Sequence, residues 1–274
     1  PRGVVVDTCG TGGDGLRTFN ISTATAFVVA GAGVPVAKHG NRSVSSQCGS
    51  ADVVEALGIP LLRDPSQLSR CLRDHRLAFL FAPFLHPAMH HAAAARRALR
   101  VRTVFNLVGP LANPAGVEHQ LVGVPDPALG PILARVLGRL GSRVAWVVSG
   151  EGGMDELTTT GSNHVAVWKD GLHQFDIDPR DYGLPRASLT DLEGGTVEEN
   201  AERICEVLAG GKGPDRDVVL LNAAATLVVA GLADDLSTGL RRAAESLSSG
   251  SARGVLNRLR SFPAGGDNGE RRHG

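Results

Sequence analysis

The chain has 274 residues, 28 basic and 28 acidic, so its net charge is zero with neutral histidines. That balance gives no global attraction to nucleic acid or membrane, and aromatic residues at 4% leave little surface for base stacking. Cysteines at 9, 48, 71 and 205 form no C-x-x-C pair, and there is no signal-peptide pattern or apolar run of about 18 residues, which together exclude a disulfide framework and zinc spacing and predict a reducing cytoplasm.

The length suits one large α/β domain with a sizeable core. Val4-Val5-Val6 and Val34-Pro35-Val36-Ala37 read as buried strands. Each leads into a polar loop, Asp7 to Gly15 and Lys38 to Ser46, and then into a helix. Two such loops lie at the carboxyl edge of one sheet, where open α/β sheets bind ligands. Glycines in the first loop permit tight turns, and its amides can cradle an anion. The second loop adds two cations and three hydroxyls. Together they suit a ligand with several negative charges.

Gly10, Gly12 and Gly15 also match the dinucleotide pattern G-x-G-x-x-G. That pattern needs an acid at the end of the next strand, and Lys38 stands there instead. Asp14 inside the loop would face a pyrophosphate directly unless a cation or a ribose hydroxyl intervened.

Further along, Asn20 is placed to cap a helix through Ser22 and Thr23 to Ala30. Hydroxyls at such a terminus either cap it or bind phosphate or a cation sphere. Ser50 begins a short helix to Leu57, and 64–74 is helical by pattern. Leu77 to Phe81 reads as a strand buried on both faces. Pro87 fits the first turn of a helix to Leu99. His86 and His90, four apart, invite a metal reading, but no third ligand is evident, and a substrate contact suits His86 better. Arg96 excepted, the arginines at 96–102 and 253–260 read mostly as solvated helix faces. Val101 to Phe105 is predicted as a strand, 106–114 as a rigid turn, Gln120 to Val124 as a strand, Pro127 to Leu140 as a helix and Arg143 to Ser149 as a strand.

Gly150 to Leu157 holds Glu151, Asp155 and Glu156 in a glycine-rich loop. It is either a solvated acidic turn or a hard-cation site. Asn163 to Trp168 and Leu172 to Ile177 flank an Asp-Gly turn and form a hairpin, an antiparallel appendage to an otherwise parallel sheet. The 182–192 stretch is irregular and 196–208 is an amphipathic helix. Within 217–230, Val218 to Leu221 fits a strand, but Asn222 to Ala225 suits a buried helix. Final helices cover 238–248 and 251–262. Residues 263–274 are predicted to be a flexible tail, leaving 1–262 as the α/β domain.

Asp7 to Gly15, Asn20-Ile21-Ser22-Thr23, Lys38 to Ser46, Gly109 to Pro114 and Met154-Asp155-Glu156 resemble the signature segments of anthranilate phosphoribosyltransferase, in order and over nearly the whole chain. The resemblance implies a mostly parallel sheet flanked by helices, with 1–262 as the phosphoribosyl-transfer domain. The family's small N-terminal helical domain is mostly missing from this sequence. The implied reaction moves the phosphoribosyl group of 5-phosphoribosyl 1-pyrophosphate (PRPP) to the amine of anthranilate in tryptophan biosynthesis, with Mg²⁺, two ions per site. The resemblance also implies a cytoplasmic homodimer with no nucleic-acid or membrane partner. It assigns PRPP to Gly10, Gly13, Asp14, Thr18, Asn20, Ile21, Ser22, Thr23, Lys38, His39, Gly40, Asn41, Arg42, Ser43, Val44, Ser45, Ser46 and Ser50. It assigns anthranilate to Gly10, Asn41, His86 and Arg96, whose guanidinium fork suits a carboxylate. Ser22, Asp155 and Glu156 are its metal ligands. No nucleophilic triad is visible, and the reaction requires none. Two other readings stand beside it. A pyrimidine-nucleoside phosphorylase would have a similar fold and lysine loop, but no need of the acidic pair. A non-catalytic nucleic-acid-binding relative is disfavoured by zero net charge.

Overall fold

The computed structural model describes residues 3–42, 48–87 and 105–263. Residues 88–99 of the expected helix, the 101–104 part of the expected strand and the tail from 264 lie outside them, as do Ser43 to Ser46, His90 and Arg96; Phe105 begins a helix rather than ending a strand.

A seven-stranded sheet runs in the order β3-β2-β1-β4-β5-β6-β7. Its strands are β1 (Val6–Gly10), β2 (Val36–Gly40), β3 (Leu77–Phe81), β4 (His119–Gly123), β5 (Val144–Gly150), β6 (Asn163–Trp168) and β7 (Leu172–Ile177). The first five are parallel. β6 and β7 are antiparallel and extend the same sheet, so the predicted hairpin continues the sheet edge. Asp170 (φ 54°) and Gly171 (φ 134°) both take the positive φ that its two-residue turn needs.

Side chains alternate across the sheet, as strand geometry requires. Leu121, Trp146, Val148, Val165 and Val167 pack in a cluster on one face with Leu221 and Ala225. Val122, Ala145, Val147 and Ala166 face the other way, against Leu133, Ala134 and Leu137. Helices cover both faces: α1 (Ile21–Gly31), α2 (Ser50–Ala56), α3 (Pro65–His75), α4 (Ala82–Leu85), α5 (Phe105–Leu111), α6 (Gly130–Arg139), α7 (Leu189–Leu192), α8 (Val197–Leu208), α9 (Pro214–Val229), α10 (Leu236–Ser248) and α11 (Ser251–Arg260).

Two expectations need correction. β1 and β2 start later than predicted, so Asp7 to Gly10 and Lys38 to Gly40 are strand, not loop. Asp7 to Gly10 pair with β4 and Lys38 to Gly40 with β3, and their polar side chains find partners inside the fold. The 106–114 stretch is not a single turn: α5 occupies its first part, with Pro110 near the helix end. The 217–230 ambiguity resolves to helix. Asn222 makes that possible, because its side chain is buried yet donates to Leu157 O at 2.7 Å and Val218 O at 2.9 Å and accepts from Leu157 N at 3.1 Å.

Asp7 is fully buried. It accepts from His39 N at 3.1 Å and from Asn113 Nδ2 at 2.8 Å. Asn113 Nδ2 also reaches Ala37 O at 2.8 Å, so one amide ties β1 and β2 together. Removing it leaves a buried carboxylate short of a donor. Asn113→Ala is expected to cost about 1–3 kcal/mol of stability, read as a lower urea midpoint at unchanged slope.

Candidate active site

The chain adds β2 and then β3 on one side of β1 and places β4 on the other. The strand order therefore reverses between β1 and β4, and a ligand crevice opens at their carboxyl ends. Gly10 and Gly123 end these strands and are register partners. Thr11 N continues the pairing to Gly123 O at 2.9 Å. The acidic loop after β5 returns into this crevice. A Cβ on Gly10 would lie 2.2 Å from Asp155 Oδ2, and one on Gly123 would lie 1.6 Å from Asp155 O. Both strand ends are glycine because the Asp155 segment occupies the side-chain space.

Beyond Gly10, positive φ at Gly12, Gly13 and Gly15 turns the first loop back over the sheet edge. Gly12 N donates to Asp155 Oδ2 at 2.6 Å. Asp14 also hydrogen-bonds Asp155, and its Oδ1 accepts from Leu16 N at 3.0 Å. The Asp155 carboxyl is raised well above the carboxylate range, by burial first and then by the charges of Asp14 and Glu156; the Gly12 amide opposes this.

Glu156 reaches the first turn of α1. Burial pushes its carboxyl up to about 7, against the pull of Lys38 and hydrogen bonds from the Ser22 hydroxyl and backbone. Lys38 is only 2% exposed. Its Nζ donates to Thr8 O at 2.5 Å and to Ser22 Oγ at 3.0 Å. Lys38 thus lies beneath the loop and fixes the Ser22 hydroxyl that Glu156 uses. Thr8 Oγ1 adds a bond to Ser22 O at 3.2 Å.

These shifts set a sign. Glu156 has a folded-state pKa above its unfolded one, so its protonation stabilises the fold at low pH and that contribution is lost as pH rises through the raised value. The metal-free protein is expected to melt at progressively lower temperature from about pH 5 to about pH 8, and Glu156→Gln to flatten that slope. A scanning calorimetry series on the two proteins checks it.

His39 follows Lys38 in β2, and its Nδ1 lies 3.1 Å from Gly109 O. His86 lies edge-on to it at 5.1 Å between ring centroids. Nε2 of each is buried without a hydrogen-bond partner. Burial lowers the His39 pKa, opposed by Asp7 and Gly109 and assisted by His86 and Lys38. Two imidazoles thus carry unpartnered buried nitrogens beside the end of β2. The buried thiol of Cys9 is pushed well up by burial and by Asp7, to which it hydrogen-bonds, which makes it a packing group.

Of the predicted residues, Gly10, Asp14, Ser22, Lys38, Asp155 and Glu156 come together. Gly13 lies in the turn beside them. Ile21 is core, and the Thr23 hydroxyl is buried without a partner. Gly40 ends β2 against Ser50 Oγ and Phe79, and Asn41 is latched to Ser50 by two bonds of 3.2 Å. Arg42 turns to α2, pairing with Asp52 at 2.5 Å and Glu55 at 2.6 Å. Thr18 bridges to Glu193, and the Asn20 side chain meets Cys48 and Asn200 rather than capping α1. Sequence reasoning missed Asp7, Gly123 and Asn222. Their roles come from strands and helices distant in sequence, which no local pattern marks.

Among the described residues no three His, Cys, Asp or Glu side chains converge as a metal-holding group. The acidic loop instead sets hard oxygen donors beside an amide-rich anion cradle. This arrangement suits a cation shared with an anionic ligand.

A family model described as "Glycosyl transferase family, a/b domain" matches residues 2–253. Anthranilate phosphoribosyltransferase of Moorella thermoacetica is 57% identical over 254 residues, 92% of this chain and 75% of that protein. That of Symbiobacterium thermophilum is 53% identical over 95% of this chain and 77% of its own length. The chain thus spans about three quarters of these relatives. The crystal structure of the Thermus thermophilus enzyme superposes with a TM-score of 0.90 at 45% identity, covering 94% of this chain and 77% of that one. The Saccharomyces cerevisiae enzyme in complex with PRPP and Mg gives 0.87 at 32% identity, covering 96% and 74%. Its complex with 4-fluoroanthranilate gives 0.86 at 31%, with the same coverage.

Proposed function

The chain belongs to the anthranilate phosphoribosyltransferase family, and on that premise we propose the chemistry its own residues perform. It transfers the phosphoribosyl group of PRPP to the amine of anthranilate, giving N-(5-phosphoribosyl)anthranilate and pyrophosphate. The enzyme is a glycosyltransferase of tryptophan biosynthesis and uses magnesium.

The new bond joins the amine nitrogen to C1 of the ribose, and the bond from C1 to the pyrophosphate oxygen breaks. The arylamine is uncharged at neutral pH, so it needs positioning more than a strong base. The barrier lies in charge building on the leaving pyrophosphate, and fixed donors facing that charge lower it. Backbone amides of the Gly13–Gly15 turn hold the pyrophosphate end, the Gly12 amide being taken by Asp155. Lys38 acts from below by fixing Ser22. Asn41 and the 43–46 segment hold the phosphate and ribose. His39 and His86 line the acceptor's side, with Gly10 and Asn41, and Arg96 takes its carboxylate.

Magnesium fits the residues present. The Asp155 and Glu156 carboxyls are raised by burial and by neighbouring acid charge, that of Asp14 included, and a divalent cation relieves that repulsion better than protons do at neutral pH. Asp155, Glu156 and Ser22 would hold it, with waters and substrate oxygens completing the sphere. When bound, it neutralises charge on the pyrophosphate. Two ions per site, a homodimer and a cytoplasmic location belong to this reading. Among the described residues, no helix is long and apolar enough to cross a membrane.

The observation that carries the reading is the Asp155 segment seated on Gly10 and Gly123, with its carboxylate on the Gly12 amide. It is tested by stoichiometry: one pyrophosphate released per anthranilate consumed, and no phosphorolysis of thymidine with inorganic phosphate. Thymidine cleavage without anthranilate turnover would overturn it in favour of a nucleoside phosphorylase.

A further inference from the structure

Helix α8 stands outside the crevice, yet two of its side chains grip the loops that form it. Asn200 is 2% exposed. Its Oδ1 accepts from Gly195 N at 2.9 Å, and its Nδ2 donates to Asn20 Oδ1 at 3.3 Å. It also hydrogen-bonds Cys48, where the chain returns from the second loop. Asn20, at the start of α1, donates to Cys48 O at 3.5 Å.

Arg203 follows on the same helix face. Its guanidinium donates to Asp191 O at 2.8 Å, to Glu193 O, and to Asp215 through Nε at 2.8 Å. The same group lies over the Phe19 ring, 4.7 Å from its centroid. The gripped segment is itself paired with the exit of the glycine loop. Phe19 N donates to Leu192 O at 3.0 Å, Gly194 N donates to Arg17 O at 2.5 Å, and Thr18 bridges Glu193. Gly194 permits the crossing: a Cβ there would lie 2.8 Å from Asn200 Oδ1 and 2.9 Å from Phe19 N.

The glycine loop leaves β1 at Gly10, and its start is fixed by the sheet. Its glycine-rich middle has little stiffness of its own, so its shape depends on how its far end is held. That end is Arg17–Asn20, and α8 holds it from both sides. An ion pair serving stability alone would need only Asp215. Here the guanidinium also takes two backbone carbonyls and one ring, and all three belong to the loop exit or the segment paired with it.

We propose that Arg203 and Asn200 are positioning residues for the pyrophosphate end of PRPP. Arg203 sets the exit of the glycine loop, and Asn200 sets its spacing from the second loop. The assignment of the ligand rests on the function proposed above; the assignment of the hold on the loop does not.

The test compares Arg203→Met, which keeps the stem and removes the fork, with Arg203→Lys and Asp215→Asn. Arg203→Met is expected to raise KM for PRPP about tenfold while kcat and KM for anthranilate stay within about twofold. Arg203→Lys recovers part of the loss, because it keeps the charge over Phe19 without the fork. Should Arg203→Met not fold, Asp215→Asn carries the same expectation at smaller size. A lower melting temperature with unchanged KM for PRPP would overturn the proposal and leave Arg203 a stability residue. Hydrogen exchange without ligand separates the two claims. The Phe19 and Gly194 amides should exchange faster in Arg203→Met, and unchanged exchange there would overturn the hold on the loop. If the unaltered protein fails to bind PRPP in calorimetry, the function reading fails, and exchange still decides the positioning.

Discussion

Replacing Asp155 and Glu156 together by alanine is expected to lower turnover at limiting Mg²⁺ by at least about 100-fold. Near-normal turnover would contradict the role given to the acidic loop. The loss should not come from unfolding. Both carboxyls are raised by burial and by neighbouring acid charge, so in the metal-free protein they oppose folding at neutral pH. Their removal is therefore expected to hold or raise the melting temperature above pH 7 while the stabilisation by Mg²⁺ with PRPP disappears. A fall in melting temperature with Mg²⁺ stabilisation intact would mean that the acids serve the fold and not the cation. Lost activity without lost stability is the signature of groups kept together for a ligand, since like charges in a buried loop gain nothing from one another.

The second large effect is expected at a residue with no side chain. Gly123→Ala puts a methyl group 1.6 Å from the backbone oxygen of Asp155. The comparable change at Gly10 meets the Asp155 carboxylate, which can swing aside; at Gly123 the obstacle is main chain. The acidic loop must shift by more than an ångström or β4 must move. Leu157, just beyond, is pinned at both N and O by Asn222, so the shift cannot spread along the chain and concentrates at Asp155 and Glu156. Overpacking of this kind costs about 1–3 kcal/mol. A displacement of about 1 Å at the acidic pair is expected to cut turnover about 100-fold. Gly123→Ala with normal kcat would show that the contact between β4 and the acidic loop does not set the site. Gly123→Ala with normal melting but a large loss of kcat would locate the damage at the acidic pair.

These two predictions mark where reading the chain worked and where it stopped. Strands such as Leu77–Phe81 and the Asp170-Gly171 turn were legible, because local pattern and turn chemistry agree with the final fold. So were the glycine turn after β1 and the acidic segment, because glycines and paired acids cluster in sequence. The edges of β1 and β2 were not legible. Asp7 and Lys38 look like loop residues by polarity, and only their partners from elsewhere in the chain, Asn113 and Thr8, make them tolerable inside a sheet. Gly123 shows the same limit in another form. One glycine after an apolar run carries no sign that a backbone from 32 residues later will lie against it. Asn222 within an apolar run favoured a buried helix but gave no sign that its amide would bridge Leu157. Arg203 and Asn200 read as ordinary polar residues on an amphipathic helix, and their significance lies wholly in what α8 is packed against.

The account turns on one claim, that the glycine loop and the acidic loop meet to bind PRPP with Mg²⁺ for transfer to anthranilate. The most direct measurement is the loss of anthranilate fluorescence on adding PRPP and Mg²⁺, repeated with a chelator. The account predicts a steady loss that stops when the chelator is added and resumes when excess Mg²⁺ is restored. No loss of fluorescence, together with no rise in melting temperature on adding PRPP and Mg²⁺, would contradict it.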